Sequence, residues 1–85
     1  MSHASSDIAS MVRGIVEPLV EDKEALEVTS VISETGAQLI EIRVAEQDAG
    51  KVIGRQGRVI KSIRILARAA VCAEGGDVEV ELVED

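Results

Sequence analysis

The chain has 85 residues, nine Lys and Arg against sixteen Asp and Glu, a formal charge of −7, and no Phe, Tyr or Trp. That length allows one domain with one core, and the missing aromatics limit the core to Ile, Val, Leu and Ala and exclude base stacking on aromatic rings. A single cysteine, Cys72, and a single histidine, His3, exclude an internal disulfide and leave no basis for a metal site or a cofactor.

No apolar run approaches the roughly 18 residues of a membrane span, and no signal-peptide pattern opens the chain, so the expected setting is the cytoplasm. Residues 1–6 are small and polar and read as a flexible tail, followed by a single folded domain over residues 7–85. Ser5 or Ser6 is suited to cap a helix with Asp7 in its first turn. Ile8, Met11, Val12, Ile15, Val16 and Leu19 then recur at helical spacing. Pro18 falls late in that run and predicts a kink or a tightening. The acidic Glu21-Asp22-Lys23-Glu24 reads as a loop.

Residues 26–34 are rich in Val, Ile, Thr and Ser and predict a strand. Thr35-Gly36-Ala37 predicts a turn, and residues 38–45 alternate, with Ile40, Ile42 and Val44 on one side and Glu41 and Arg43 on the other. The two strands form an expected antiparallel hairpin. Residues 77–83 repeat the alternation, so one sheet face is apolar and the other acidic. Between the second and third strands lie a short helix over about 47–53 and a long one over about 58–74, stopped by Gly75-Gly76. The expected fold is α+β, in the order α-β-β-α-α-β, with three helices on one face of a three-stranded sheet.

On the long helix, Val59, Ile63, Leu66, Ala67 and Ala70 fall on one arc that is expected to face the sheet. Lys61, Arg64 and Arg68 form a basic stripe with Arg58 at its edge, which alone would read as a solvated face. Ile65, Ala69 and Cys72 make a second, short apolar seam away from the core arc. Such a seam suits either a partner surface or packing under a loop.

The charge is unevenly placed. From Ala49 to Ala73 there are six cations and no acid, and all sixteen acids lie elsewhere. Within this basic segment, Gly54-Arg55-Gln56-Gly57 joins the two helices. It is not a P-loop, since no Gly-Lys-Ser/Thr follows, and it is not a dinucleotide fingerprint, which needs a third glycine after a strand. Two glycines leave the backbone open to close approach, and the loop opens a helix whose first amides lack internal partners and form a positive dipole end. The combination suits an anion.

Val52-Ile53-Gly54-Arg55-Gln56-Gly57, followed by Ile60, resembles the signature of the KH domain, and residues 8–84 as a whole resemble the small single-KH-domain bacterial RNA-binding proteins of the KhpA family. The resemblance implies the type II KH arrangement. It also implies a non-enzymatic protein in which Gly54 to Gly57 clamp about four nucleotides of single-stranded RNA. Lys51, Arg55 and Arg58 would supply charge there, with the basic stripe continuing it through Lys61 and Arg64. Val52, Ile53 and Ile60 would help form an apolar floor for bases, with plain core membership as the alternative for each. The family resemblance further implies a homodimer, or pairing with a second KH-containing protein, acting as an RNA chaperone or post-transcriptional regulator. That would make Ile65, Ala69 and Cys72 a dimer interface. An enzyme finds no support: His3 sits in the expected tail, and Cys72 has no second histidine to activate it. A protein-protein adaptor with weak or no RNA binding is the competing reading.

Overall fold

The strand that organises the molecule is Gln38–Arg43 (β2), because it pairs on both sides. The computed structural model describes residues 4–72 and 76–83. In it, Ile40 and Ile42 are fully buried on one face of β2 while Leu39, Glu41 and Arg43 are half-buried on the other, the two-residue period of a strand with one face on a core. Glu27–Ile32 (β1) pairs with β2 antiparallel, Val28 opposite Ile42 and Ser30 opposite Ile40. Val78–Val83 (β3) pairs with it in parallel, Val80 opposite Ile40. The hairpin expected between β1 and β2 is present. Its turn is closed by Ser33 N–H donating to Ala37 O at 2.8 Å and Gly36 N–H to Ser33 O at 3.0 Å, with Gly36 at φ 89°. Both hairpin strands are shorter than their apolar patterns, yet Leu26 and Val44, just outside the ladder, are still buried in the core.

A parallel pair cannot be joined by a tight turn; it needs a crossover. Glu46–Ile53 (α2) and Arg58–Cys72 (α3) supply it. Ala4–Val16 (α1) precedes the sheet; its backbone is helical from Ala4, ahead of the start expected near Asp7. Residues 1–3 of the expected tail lie outside the described residues. Along α1, Ile8, Val12 and Val16 are buried at four-residue spacing, flanked by Met11 and Ile15. The tightening expected at Pro18 appears as a 3-10 turn over Glu17–Leu19, after which Val20 returns to the core. The two long helices lie together on the inner face, α1 over β1 and α3 over β3. This is the expected α+β layering, with helices on one side of a three-stranded sheet.

The docking of α3 differs from the sequence expectation. Its buried residues are Ile60, Ile63, Ala67 and Val71, whereas Leu66, placed on the core arc, is 49% exposed. Val59 and Ala70 pack only at the margin. At about 100° per residue, the buried arc is rolled by roughly 60° from the expected one. Both arcs are equally apolar, so periodicity alone could not choose between them; the positions of α1 and β3 do. The roll leaves Ile65, Ala69 and Cys72 facing directly away from the core and turns Arg64 and Arg68 toward the β3 side. The described part of the helix runs to Cys72, and Gly76 N–H donates to Val71 O at 3.3 Å. Gly75 of the expected stop lies outside the described residues.

Candidate nucleic-acid interface

The loop between α2 and α3 is built from backbone conformations that few residues adopt. Gly54 lies at φ 78°, ψ 174°, a region open essentially only to glycine. A Cβ there would press on the Val59 side chain and come within 2.9 Å of the Val59 backbone nitrogen. Gln56 is left-handed at φ 58°, ψ 24°, and Gly57 at φ 72°. Three positive φ angles in four residues turn the chain sharply from one helix into the next. Gly54 N–H donates to Gly50 O at 2.9 Å and Gly57 N–H to Gly54 O at 3.1 Å. Arg55 and Gln56 are exposed at the tip. No acid occupies the first turn of α3, so its free amides face whatever lies beside the loop with nothing to offset their positive end.

The apolar residues around the loop divide. Val52 is fully buried and Ile60 is 7% exposed, both within the core cluster, while Ile53 is 38% exposed beside the loop. Val52 and Ile60 therefore support the loop from beneath.

Lys51 is not a free cation. Its ammonium lies 2.7 Å from Glu21 Oε1 and 3.5 Å from Asp48 Oδ1. Asp48, in turn, has no exposed surface. Its two carboxylate oxygens accept hydrogen bonds from the backbone N–H groups of Glu21, at 3.0 Å, and Asp22, at 3.1 Å. Those N–H groups, Glu21 first, hold the Asp48 carboxyl below its ordinary range, and Lys51 adds to the effect against the penalty of burial. The hydrogen bond to Glu21 raises the Lys51 ammonium above its ordinary value. The result is a latch that ties the segment entering β1 to the start of α2, about two turns before the loop.

The basic stripe of α3 is different. Arg58, Lys61, Arg64 and Arg68 are all exposed. Among the described residues, the side chains of Arg55, Arg58, Lys61 and Arg68 make no ion pair or hydrogen bond. Arg64 reaches across to the sheet, where its Nε–H donates to Val80 O at 3.2 Å. Beside that contact runs an open cleft of about 470 Å³ between α3 and β3, lined by Arg64, Arg68, Leu39 and residues 78–81. The loop thus continues along one helix flank into a cleft bordered by an edge strand.

The chain as a whole has clear matches among known proteins. The family model described as "KhpA/KhpB, KH domain" matches residues 9–82. The chain belongs to the KhpA/KhpB KH-domain family. The RNA-binding protein KhpA of Caldanaerobacter subterraneus subsp. tengcongensis is 38% identical over 76 residues, covering 89% of this chain and 100% of the relative. That of Clostridium acetobutylicum is 39% identical over 69 residues, covering 81% and 91%. That of Leifsonia xyli subsp. xyli is 35% identical over 78 residues, covering 92% and 99%. Among solved structures, Aquifex aeolicus Era has a similar fold, with a TM-score of 0.56 and 19% identity. The similarity covers 95% of this chain and 32% of that one.

In this KH domain, sequence reasoning missed Asp48 and the cleft. An acid near a helix start reads as a dipole partner, and nothing in its neighbours announces that it is buried. The cleft joins Arg64 to residues fourteen or more positions away and exists only once β3 is paired. Arg68 was legible as part of the stripe and takes its place in the cleft wall.

Proposed function

We propose that the chain is a non-enzymatic RNA-binding protein that holds about four nucleotides of single-stranded RNA against the Gly54-Arg55-Gln56-Gly57 loop and the adjoining flank of α3. The observation that carries this reading is the loop itself, with three positive φ angles in four residues and an acid-free helix start beyond it. A left-handed non-glycine residue such as Gln56 costs on the order of 1 kcal/mol or more and is characteristic of sites that must present a fixed backbone. Gly54 to Gly57 would approach the sugar-phosphate chain, Arg55 and Arg58 would neutralise phosphates, and Lys61 and Arg64 would extend the track. Ile53 offers apolar surface next to it, with Val52 and Ile60 as its support. Lys51 contributes through the latch, since its charge is already shared with two carboxylates. The names of the KhpA relatives accord with RNA as the ligand. The acidic outer face of the sheet, carrying Glu41, Glu79 and Glu81, would repel RNA from the wrong side and orient docking. Such a protein would act in the cytoplasm as an RNA chaperone or post-transcriptional regulator; no helix among the described residues is long and apolar enough to cross a membrane.

The test is Arg55→Asp combined with Gln56→Asp, which sets two anions against phosphate while keeping a residue type that tolerates the left-handed conformation at position 56. Fluorescence anisotropy with labelled single-stranded RNA should show wild-type binding that weakens steeply with salt and binding by the variant reduced by at least about tenfold, a cost of about 1.4 kcal/mol. Retained binding by a folded variant rules out the loop as the clamp.

A second reading has its own observation. The outer face of α3 exposes Ile65 at 59% and Leu66 at 49%, with Ala69 and Cys72 also exposed beside them. An apolar strip of this kind on a small charged domain suits a second copy or another KH-containing chain, and pairing would set two weak sites side by side. Sedimentation that finds a dimer, together with no affinity for RNA, would favour an adaptor over an RNA binder.

A further inference from the structure

The two edges of the sheet are finished differently. With the strand order β1-β2-β3, β1 and β3 each leave one side unpaired. Such an edge presents N–H and C=O groups that another strand can join, and charged side chains or a covering element normally guard it. The β3 edge carries Glu79 and Glu81, and Arg64 reaches over it to donate to Val80 O at 3.2 Å. The β1 edge has no such guard. Ser33 N–H donates to Ala37 O, and Gln38 N–H donates to Asp77 O on the other side of β2. These bonds fix the alternation: Glu27, Thr29 and Val31 bond to β2, and the backbone groups of Val28, Ser30 and Ile32 point outward. Among the described residues, no element pairs with them. From Val28 to Ile32 there is neither a charge nor a proline. Val31 is 47% exposed and Ile32 61%. Successive residues of a strand point to opposite faces, so anything resting on one face covers only one of the two. A strand added at the edge covers both.

We propose that β1 is the docking edge for an extended segment of another protein, which joins the sheet as a fourth strand and alternates apolar residues with Lys or Arg. Backbone pairing with Val28, Ser30 and Ile32 gives the segment its hold, and its alternate side chains give selectivity. Its apolar residues lie on the inner face beside Val28 and Ile32. Its cations lie on the outer face, where Glu27, Glu41, Glu79 and Glu81 outnumber Arg43. A second copy of this chain does not fit the same edge. Because α1 lies over β1, pairing two β1 strands about 4.8 Å apart brings two α1 helices closer than the roughly 8–10 Å at which helices pack. Two chains of formal charge −7 also repel one another. A lone basic strand brings neither the helix nor the repulsion.

The probe is a capped hexapeptide alternating Lys and Val, titrated into the isotope-labelled full chain and read by amide NMR. The amides of Val28, Ser30 and Ile32 should shift and gain protection from hydrogen exchange, while those of residues 54–57 stay in place. A twin peptide with Glu in place of each Lys should bind at least about fivefold more weakly, the share of charge complementarity. Ile32→Pro removes one outward donor and spares the ladder to β2, since an edge strand accepts proline where its N–H faces solvent. It should weaken the Lys peptide about tenfold. Ile32→Lys keeps the N–H at an exposed position and sets a like charge in the edge, and it should also weaken the Lys peptide about tenfold. Unchanged thermal unfolding shows that each variant is folded. Equal binding of the two peptides overturns the proposal, as does unchanged affinity in both folded variants. Shifts centred on the cleft between α3 and β3, or no shift up to millimolar peptide, overturn it as well. A dimer that Ile32→Lys disperses makes a second copy the occupant and overturns it too.

Discussion

Lys51 on α2 and Lys61 on α3 are ten residues apart, on either side of the same loop, and do opposite things. Lys51 is paired with Glu21 and with a fully buried Asp48, so that its charge is spent inside the protein. Lys61 is exposed, with no ion pair or hydrogen bond to its side chain among the described residues. The entry side of the loop is thus built inward, with each polar group answered by another. The exit side is built outward, with cations left for something else to answer. The comparison teaches that a basic segment is not one functional unit. Lys51, before the loop, is tied into the protein by two carboxylates, and the cations after the loop stand open on the surface.

The comparison is broken most severely at the junction of the two sides. Gly54→Ala puts a side chain into a glycine-only conformation and against Val59. Urea denaturation should show a loss of about 1–3 kcal/mol from strain alone, and RNA affinity should fall with it, because the loop cannot keep its shape.

Next in size is the latch. Asp48→Ala leaves the N–H groups of Glu21 and Asp22 without their acceptor and Lys51 with one carboxylate fewer. Thermal unfolding should move down by on the order of 10 °C. The wild-type latch also sets a pH dependence. The Asp48 carboxyl is lowered in the folded state, so its contribution is complete above the ordinary value of 3.8 and is lost as pH falls from there through the folded-state value. Lys51 is raised, so its contribution is complete below 10.5 and is lost as pH climbs past that toward the higher folded-state value. Melting temperature against pH should therefore drop more steeply below about pH 4 in wild type than in Asp48→Ala. Parallel acid limbs would show that the latch contributes nothing.

The smallest effect sharpens the outward side. Lys61→Gln should leave stability within about 0.5 kcal/mol and reduce the slope of log affinity against log salt by about 0.7, the share of one phosphate contact on a single strand. An unchanged slope would place Lys61 outside the track.

Much of this architecture was legible in the chain. The alternation of Ile40 and Ile42, the four-residue rhythm of Ile8, Val12 and Val16, and the tightening at Pro18 all follow from local periodicity and backbone sterics, and each appears in the structure. The Gly-x-x-Gly loop was legible for the same reason: two glycines between apolar pairs leave few alternatives. What could not be read is what depends on a second element. Leu66 and Ile60 are equally apolar, and only α1 and β3 decide which of them is buried. Asp48 looks like any acid at a helix start until the segment around Glu21 folds over it. Arg64 belongs to a plain basic stripe until β3 brings the Val80 carbonyl to its Nε.

The parallel pairing of β3 with β2 has a consequence for how the molecule comes together. Gln38 pairs with Val78 forty residues later, and closing so long an interval costs chain entropy before any ladder bond repays it. The hairpin of β1 and β2 faces no such delay. β3 should therefore be the last strand to dock, and its amides the last to gain protection in refolding followed by hydrogen exchange. For β3 to arrive at all, the chain must already have reversed at Gly54–Gly57, so completion of the sheet acts as proofreading for the loop. A molecule with its third strand in place has, by topology, already passed the turn on which its surface chemistry depends.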